Sequence, residues 1–171
     1  GETQLAQVVQ DALRRQRKTL TTAESCTGGL IASMITREPG SSTVFGTGFV
    51  TYANEAKQSL LAVSHQVLEE SGAVSEAVVR QMVLGALDQS GADIGVAVSG
   101  IAGPDGGTED KPVGTVWLAW GTREDLRAHC AQIPGSRTLF QQLVAAVALD
   151  LIRRHLLGLP ALPHYFTRQA Q

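Results

Sequence analysis

The run Ile94-Gly95-Val96-Ala97-Val98 carries no charged or polar side chain. A strand with one wet face alternates apolar and polar residues. An unbroken apolar run instead reads as a strand covered on both faces. Such a strand belongs in the middle of a sheet with helices packed on either side. The flanking sequence supplies those helices. Leu5, Val8, Val9 and Leu13 recur at helical intervals over residues 2–16. Leu30, Ile31, Met34 and Ile35 do so after Gly28-Gly29, until Pro39-Gly40. Asn54, Ser64 and Ser75 read as N-caps of three further helices, and Ser136 as the cap of a last helix over 137–157.

Strands are expected at 18–24, 44–53, 94–98, 113–120 and 127–133. The last two are joined by the polar turn Thr122–Asp125 and read as an antiparallel hairpin, which makes the sheet mixed. Helices alternating with strands predict an α/β domain with helices on both faces of that sheet. Gly158 and Pro160 stop the last helix. One domain is therefore expected over 1–159, with an irregular tail over 160–171.

A chain of 171 residues can bury a full core without disulfides or a structural metal. Its net charge of −2 lacks the basic footprint of a nucleic-acid binder. Its apolar runs are short and broken, so neither a membrane span nor a signal peptide is expected. The only cysteines, Cys26 and Cys130, form no CxxC pair and give no zinc-ligand spacing with the four histidines. That low count suits a reducing, cytoplasmic setting.

Three polar clusters fall at strand ends or in loops. The first is Glu24-Ser25-Cys26-Thr27-Gly28-Gly29. A serine at a strand-to-helix turn can expose its hydroxyl, and the glycines allow close approach of backbone N–H groups to a substrate. The same serine could simply cap the helix. Cys26 competes as a nucleophile. In an extended chain adjacent side chains face opposite ways, so only one of the two would reach a site. Ser25 is preferred because small buried cysteines usually serve packing, although spacing alone leaves both open.

The second cluster joins Tyr52 and Lys57 across a turn at Asn54. Lys57 could serve as a base only if burial or a neighbouring cation lowered its pKa. Otherwise it is a solvated helix residue. The third is the loop Ser99–Thr108, where four glycines could cradle a phosphate or an oxyanion. It matches neither the Walker pattern nor the dinucleotide fingerprint, and a tight surface connection would also explain it. Arg137, at the start of the last helix, could bind phosphate or lie free on the surface. Gly40-Ser41-Ser42 could offer hydroxyls and N–H groups, or be a turn. Glu24, Asp105, Glu109 and Asp110 could form an acid–base pair or hold a cation, but no metal site is expected.

Four stretches in order carry a specific resemblance: TTAESCTGGLIASMIT, GSSTVFGTGFVTYANEAKQSLL, GAVSE and VSGIAGPDGGTEDKPVGTVW. Together they resemble the CinA family, and within it the C-terminal domain that also occurs alone as a nicotinamide-nucleotide amidase. The resemblance spans roughly residues 5–155. It implies a three-layer α/β/α sandwich with a mixed β-sheet, and a homo-oligomer, with a dimer favoured. It implies hydrolysis of nicotinamide mononucleotide (NMN) to nicotinic acid mononucleotide and ammonia, without a cofactor. The family's catalytic serine falls on Ser25, its lysine on Lys57 and the tyrosine of its VTY segment on Tyr52. Its basic residue near the last helix falls on Arg137. Substrate contacts are expected from Thr27, Gly28, Gly29, Ser41, Ser42, Ser99, Gly100, Gly103, Thr108 and Arg137. No counterpart of the larger N-terminal domain of long family members is seen, so activities of that domain are not carried over. The alternative is a non-catalytic nucleotide-binding or regulatory module.

Overall fold

The computed structural model describes residues 1–169. The chain runs through α1 (Glu2–Gln16), β1 (Leu20–Glu24), α2 (Leu30–Thr36), a 3-10 turn at Ser41–Thr43, and β2 (Phe45–Val50). Three helices follow: α3 (Asn54–Leu61), α4 (His65–Ser71) and α5 (Glu76–Ser90). Then come β3 (Ile94–Gly100), β4 (Thr115–Thr122), β5 (Asp125–Gln132), α6 (Arg137–Leu157) and α7 (His164–Gln169).

The five strands form one mixed sheet in the order β2-β1-β3-β4-β5. The strand read as central from its apolar run is central. β3 pairs in parallel with β1 and antiparallel with β4. β2 lies parallel to β1 on its other side, and β4 and β5 form the expected hairpin. Helices α1, α2 and α6 cover one face, with Val96 and Val98 of β3 in the same core cluster. Helices α3, α4 and α5 cover the other, together with Ala97. The molecule is the three-layer α/β/α sandwich expected. Among the described residues no helix is long and apolar enough to cross a membrane.

This topology determines where a site can form. From β1 the chain crosses one face through α2 to reach β2. It then crosses the opposite face through α3–α5 to reach β3, on the other side of β1. A crevice opens where such crossovers diverge, beyond the carboxyl ends of the parallel strands. Those ends are Glu24, Val50 and Gly100.

Ser64, Ser75 and Ser136 cap their helices as predicted, accepting from the N–H groups of Val67, Val78 and Leu139. Asn54 does not. The cap of α3 is Ala53, with no side-chain bond, and Asn54 is already helical. Helix α2 stops at Thr36, short of Pro39-Gly40, because the residue before a proline is disfavoured in helical geometry. Strand β3 runs on to Gly100 because Ser99 and Gly100 find partners in Trp117 and Val116. The tail is not irregular throughout. Residues 164–169 form α7, whose Phe166 is buried and stacks on His129 of β5 with centroids 4.7 Å apart. Two prolines hide so short a helix, and one aromatic anchor leaves no periodicity to read.

Candidate active site

Ser25 is the first residue beyond β1. Its N–H donates to Val98 O at 3.1 Å, which ties it to the neighbouring strand. The chain then turns sharply through Gly28 and Gly29, with φ of 62° and 106°, a left-handed geometry that favours glycine. Glu24 holds this turn from beneath. One carboxylate oxygen accepts from Thr27 Oγ1 (2.5 Å) and Ile31 N (2.9 Å), the other from Ala32 N (3.0 Å). Glu24 is therefore neither half of an acid–base pair nor a cation ligand. It caps α2 from the preceding strand.

Lys57 closes the first turn of α3 and is only 1% exposed, so it is not a solvated helix residue. Its Nζ lies 3.0 Å from Ser25 Oγ, 2.8 Å from Thr51 O and 3.0 Å from Tyr52 O. The two carbonyls belong to the segment that leaves β2. Burial lowers the Lys57 pKa from its ordinary value, because the charged form loses hydration. Ser25 and Lys57, 32 residues apart, are thus joined at the carboxyl ends of β1 and β2.

Tyr52 divides its functions. Its carbonyl holds Lys57, while its exposed side chain turns to Arg137. Arg137 donates through one nitrogen to the Tyr52 hydroxyl at 2.9 Å and through another to Gly103 O at 2.8 Å. The phenol hydroxyl is bonded to Arg137 rather than to Lys57. A cleft of about 200 Å³ lies between these groups. Ser25, Tyr52, Lys57 and Arg137 line it, together with Ser99 and Gly100. Asn54, Ala73, Val74 and Ala102 complete the wall. None of those four was singled out from sequence. The sequence marks Asn54 as a cap and a turn between Tyr52 and Lys57, and the GAVSE text, which holds Ala73 and Val74, only as part of the resemblance.

Several expected contacts lie elsewhere. Cys26 also borders the cleft, but burial pushes its thiol up to about 12, against the opposing pull of the Cys26 and Gly100 N–H groups. A thiol so reluctant to ionise is a poor nucleophile. The Cys26 carbonyl accepts from Gln141 Nε2 of α6 at 3.0 Å. Thr27 is buried with its hydroxyl on Glu24, so that hydroxyl does not face a substrate. Gly28 and Gly29 shape the turn without lining the cleft, and the Gly28 N–H is already bonded to Ser25 O at 3.2 Å. Gly103 acts through its carbonyl, on Arg137. Thr108 makes a local turn with Lys111. Ser41 and Ser42 precede β2, whose first residue pairs with Leu20 at the start of β1. They therefore sit at the opposite end of the sheet from Ser25. Asp105, Glu109 and Asp110 remain exposed.

Comparison with known proteins agrees with this architecture. The family model for the CinA C-terminal domain matches residues 2–156. A CinA-like protein of Colwellia psychrerythraea is 49% identical over 166 residues, covering 97% of this chain. The chain spans well under half the length of such relatives, 38% in that case. The nicotinamide-nucleotide amidohydrolase PncC of Escherichia coli K12 is 48% identical over 152 residues, which is 87% of this chain and 91% of that protein. Among solved structures, a CinA superfamily protein from Klebsiella pneumoniae superposes with a TM-score of 0.89 at 36% identity, covering 92% of this chain and 99% of that one.

Proposed function

This chain belongs to the CinA C-terminal domain family, and on that premise we propose that it hydrolyses the carboxamide of NMN to nicotinic acid mononucleotide and ammonia, with Ser25 as nucleophile and Lys57 as base. The substrate class follows the amidohydrolase of similar length in Escherichia coli. The observation that carries the chemistry is the surroundings of Lys57 Nζ.

A neutral amine has two hydrogens and one lone pair. Two carbonyls, Thr51 O and Tyr52 O, lie within hydrogen-bond distance of Nζ and engage both hydrogens. The lone pair is then left for the third neighbour, the Ser25 hydroxyl. That arrangement suits a general base acting on a serine. Lys57 takes the Ser25 proton as Oγ bonds to the carboxamide carbon. The oxyanion so formed is met by backbone N–H groups bordering the cleft, from Cys26 after Ser25 and from Ser99–Gly100. On collapse the C–N bond breaks, and the Lys57 ammonium gives its proton to the departing nitrogen, which leaves as ammonia. Water, deprotonated by Lys57, attacks the acyl ester. Breaking the ester bond returns the proton to Ser25 and releases the carboxylate.

A cleft of about 200 Å³ suits the pyridine ring and its carboxamide better than a whole nucleotide. The ribose and phosphate would then lie at the mouth, where Arg137 and Tyr52 meet. Arg137 has N–H groups beyond those it gives to Tyr52 and Gly103. Phosphate binding there would position the remote amide. The reading includes a homodimer acting in the cytoplasm on this small-molecule nucleotide, and light scattering tests the dimer.

The direct test is ammonia release from NMN by the wild type and Ser25→Ala side by side, with folding of both checked by thermal melting. Release lost in the folded variant supports the reading. Tight NMN binding by the wild type without release would make the chain a nucleotide-binding module.

A further inference from the structure

Among the described residues, Glu24 and Lys57 are the buried charged side chains. Glu24 is fully buried, and a carboxylate withdrawn from water is costly unless donors satisfy it. Three donors do so: Thr27 Oγ1, Ile31 N and Ala32 N.

Their positions in the chain matter more than their number. Glu24 directly precedes Ser25, Thr27 follows it by two residues, and Ile31 and Ala32 lie in the first turn of α2. The carboxylate therefore clamps the strand end to the helix start across the residue that approaches Lys57. On the other side, the Ser25 N–H is fixed to Val98 O. Ser25 is held between two anchored backbone segments, which fixes the position from which its hydroxyl reaches Lys57 Nζ. The clamp has an electrostatic consequence as well. The N–H groups of Ile31 and Ala32, which would attract an anion to the start of α2, are already taken by Glu24.

We propose that Glu24 is a positioning residue that sets the Ser25–Lys57 geometry by clamping the β1–α2 turn. The proposal rests on the Ser25–Lys57 reading above, so its test includes a chemistry that does not depend on NMN. Glu24→Gln keeps the volume but places an amide NH2 among converging donors. Thr27→Val removes one of the three bonds at nearly constant shape. For each protein, kcat and KM for NMN are measured beside the rate at which a fluorophosphonate labels Ser25, read by intact mass, and beside the melting temperature.

Because a small misplacement of reacting atoms can cost on the order of 100-fold, kcat and labelling rate in Glu24→Gln are expected to fall together by roughly 10- to 100-fold. KM should stay near its wild-type value, and Thr27→Val should show a smaller loss in the same direction. A folded Glu24→Gln with wild-type kcat and labelling rate overturns the proposal. If Glu24→Gln does not fold, Thr27→Val decides: a joint fall supports the clamp and wild-type values overturn it. A wild type that labels at Ser25 but releases no ammonia sinks the amidase reading, while the labelling rates still decide Glu24. A wild type that neither labels nor hydrolyses overturns both.

Discussion

Lys57 Nζ lies 3.0 Å from Ser25 Oγ, and both groups are withdrawn from solvent. The pair brings together a helix on one face of the sheet and the end of β1, an interior strand. Lys57→Met keeps most of the side-chain length and deletes the amine. Removing a positioned general base costs about 10²- to 10⁴-fold in rate. Ammonia release from NMN by this variant should fall by that order while the protein remains folded. Activity near the wild-type value would show that Lys57 is not the base.

The lowered Lys57 pKa makes two pH dependences testable. The neutral amine is the active form, so kcat/KM should rise with pH and level off once Lys57 has lost its proton, below its ordinary value of 10.5. Stability should follow the same sign. Between the folded and unfolded pKa values the unfolded chain binds more protons at this site, so stability rises with pH through that window. It is lost as pH falls through the folded value. Lys57→Met lacks the group, so its melting-temperature advantage over the wild type should be largest at low pH and shrink toward pH 10.5. A pH-independent difference would contradict the burial argument.

Arg137 joins the Tyr52 hydroxyl to the Gly103 carbonyl at the cleft mouth. Hydrogen bonds to charged groups contribute about 1.5–3 kcal/mol, so Arg137→Ala should raise KM for NMN by about 10-fold or more. The change in kcat should be much smaller. Tyr52→Phe, which only frees the guanidinium, should raise KM less. The phosphate-free riboside should be insensitive to Arg137→Ala. Equal effects on both substrates would remove Arg137 from phosphate binding.

Ser41 and Ser42 lie at the far end of the sheet, and the double variant Ser41→Ala, Ser42→Ala should leave KM for NMN within about 2-fold, the range of substitutions away from special sites. A large KM increase would instead place Ser41 and Ser42 at the cleft of the partner subunit in the proposed homodimer.

Gly85 of α5 packs against the end of α3, and a Cβ there would collide with the Leu61 carbonyl. Gly85→Ala should destabilise the fold by about 1–3 kcal/mol through overpacking. Because α3 carries Lys57, kcat should fall as well. Thermal melting and NMN turnover check both, and an unchanged melting point would contradict the close approach.

Much of this was legible in the sequence, because it depends on short-range rules. The apolar run 94–98 announced a central strand, and Ser64, Ser75 and Ser136 announced helix starts. Both signals lie within a few residues of the structure they specify. Ser25 and Lys57 were legible as candidates, each with an ordinary alternative. Only the tertiary structure gave Glu24 its partners, turning a candidate acid–base group into the cap of α2. It also sent the Tyr52 hydroxyl to Arg137, 85 residues away, rather than to Lys57. It carried Ser41 and Ser42 to the end of the sheet opposite Ser25, and it folded residues 164–169 onto β5 through one buried ring. Glu24 finds its donors within eight residues, but only the direction of the turn shows that they converge on it; the other three share one reason. Local periodicity and capping are decided by neighbours in the chain. The partner of a polar or aromatic side chain is decided by strand order and direction, which bring together residues that no local pattern relates.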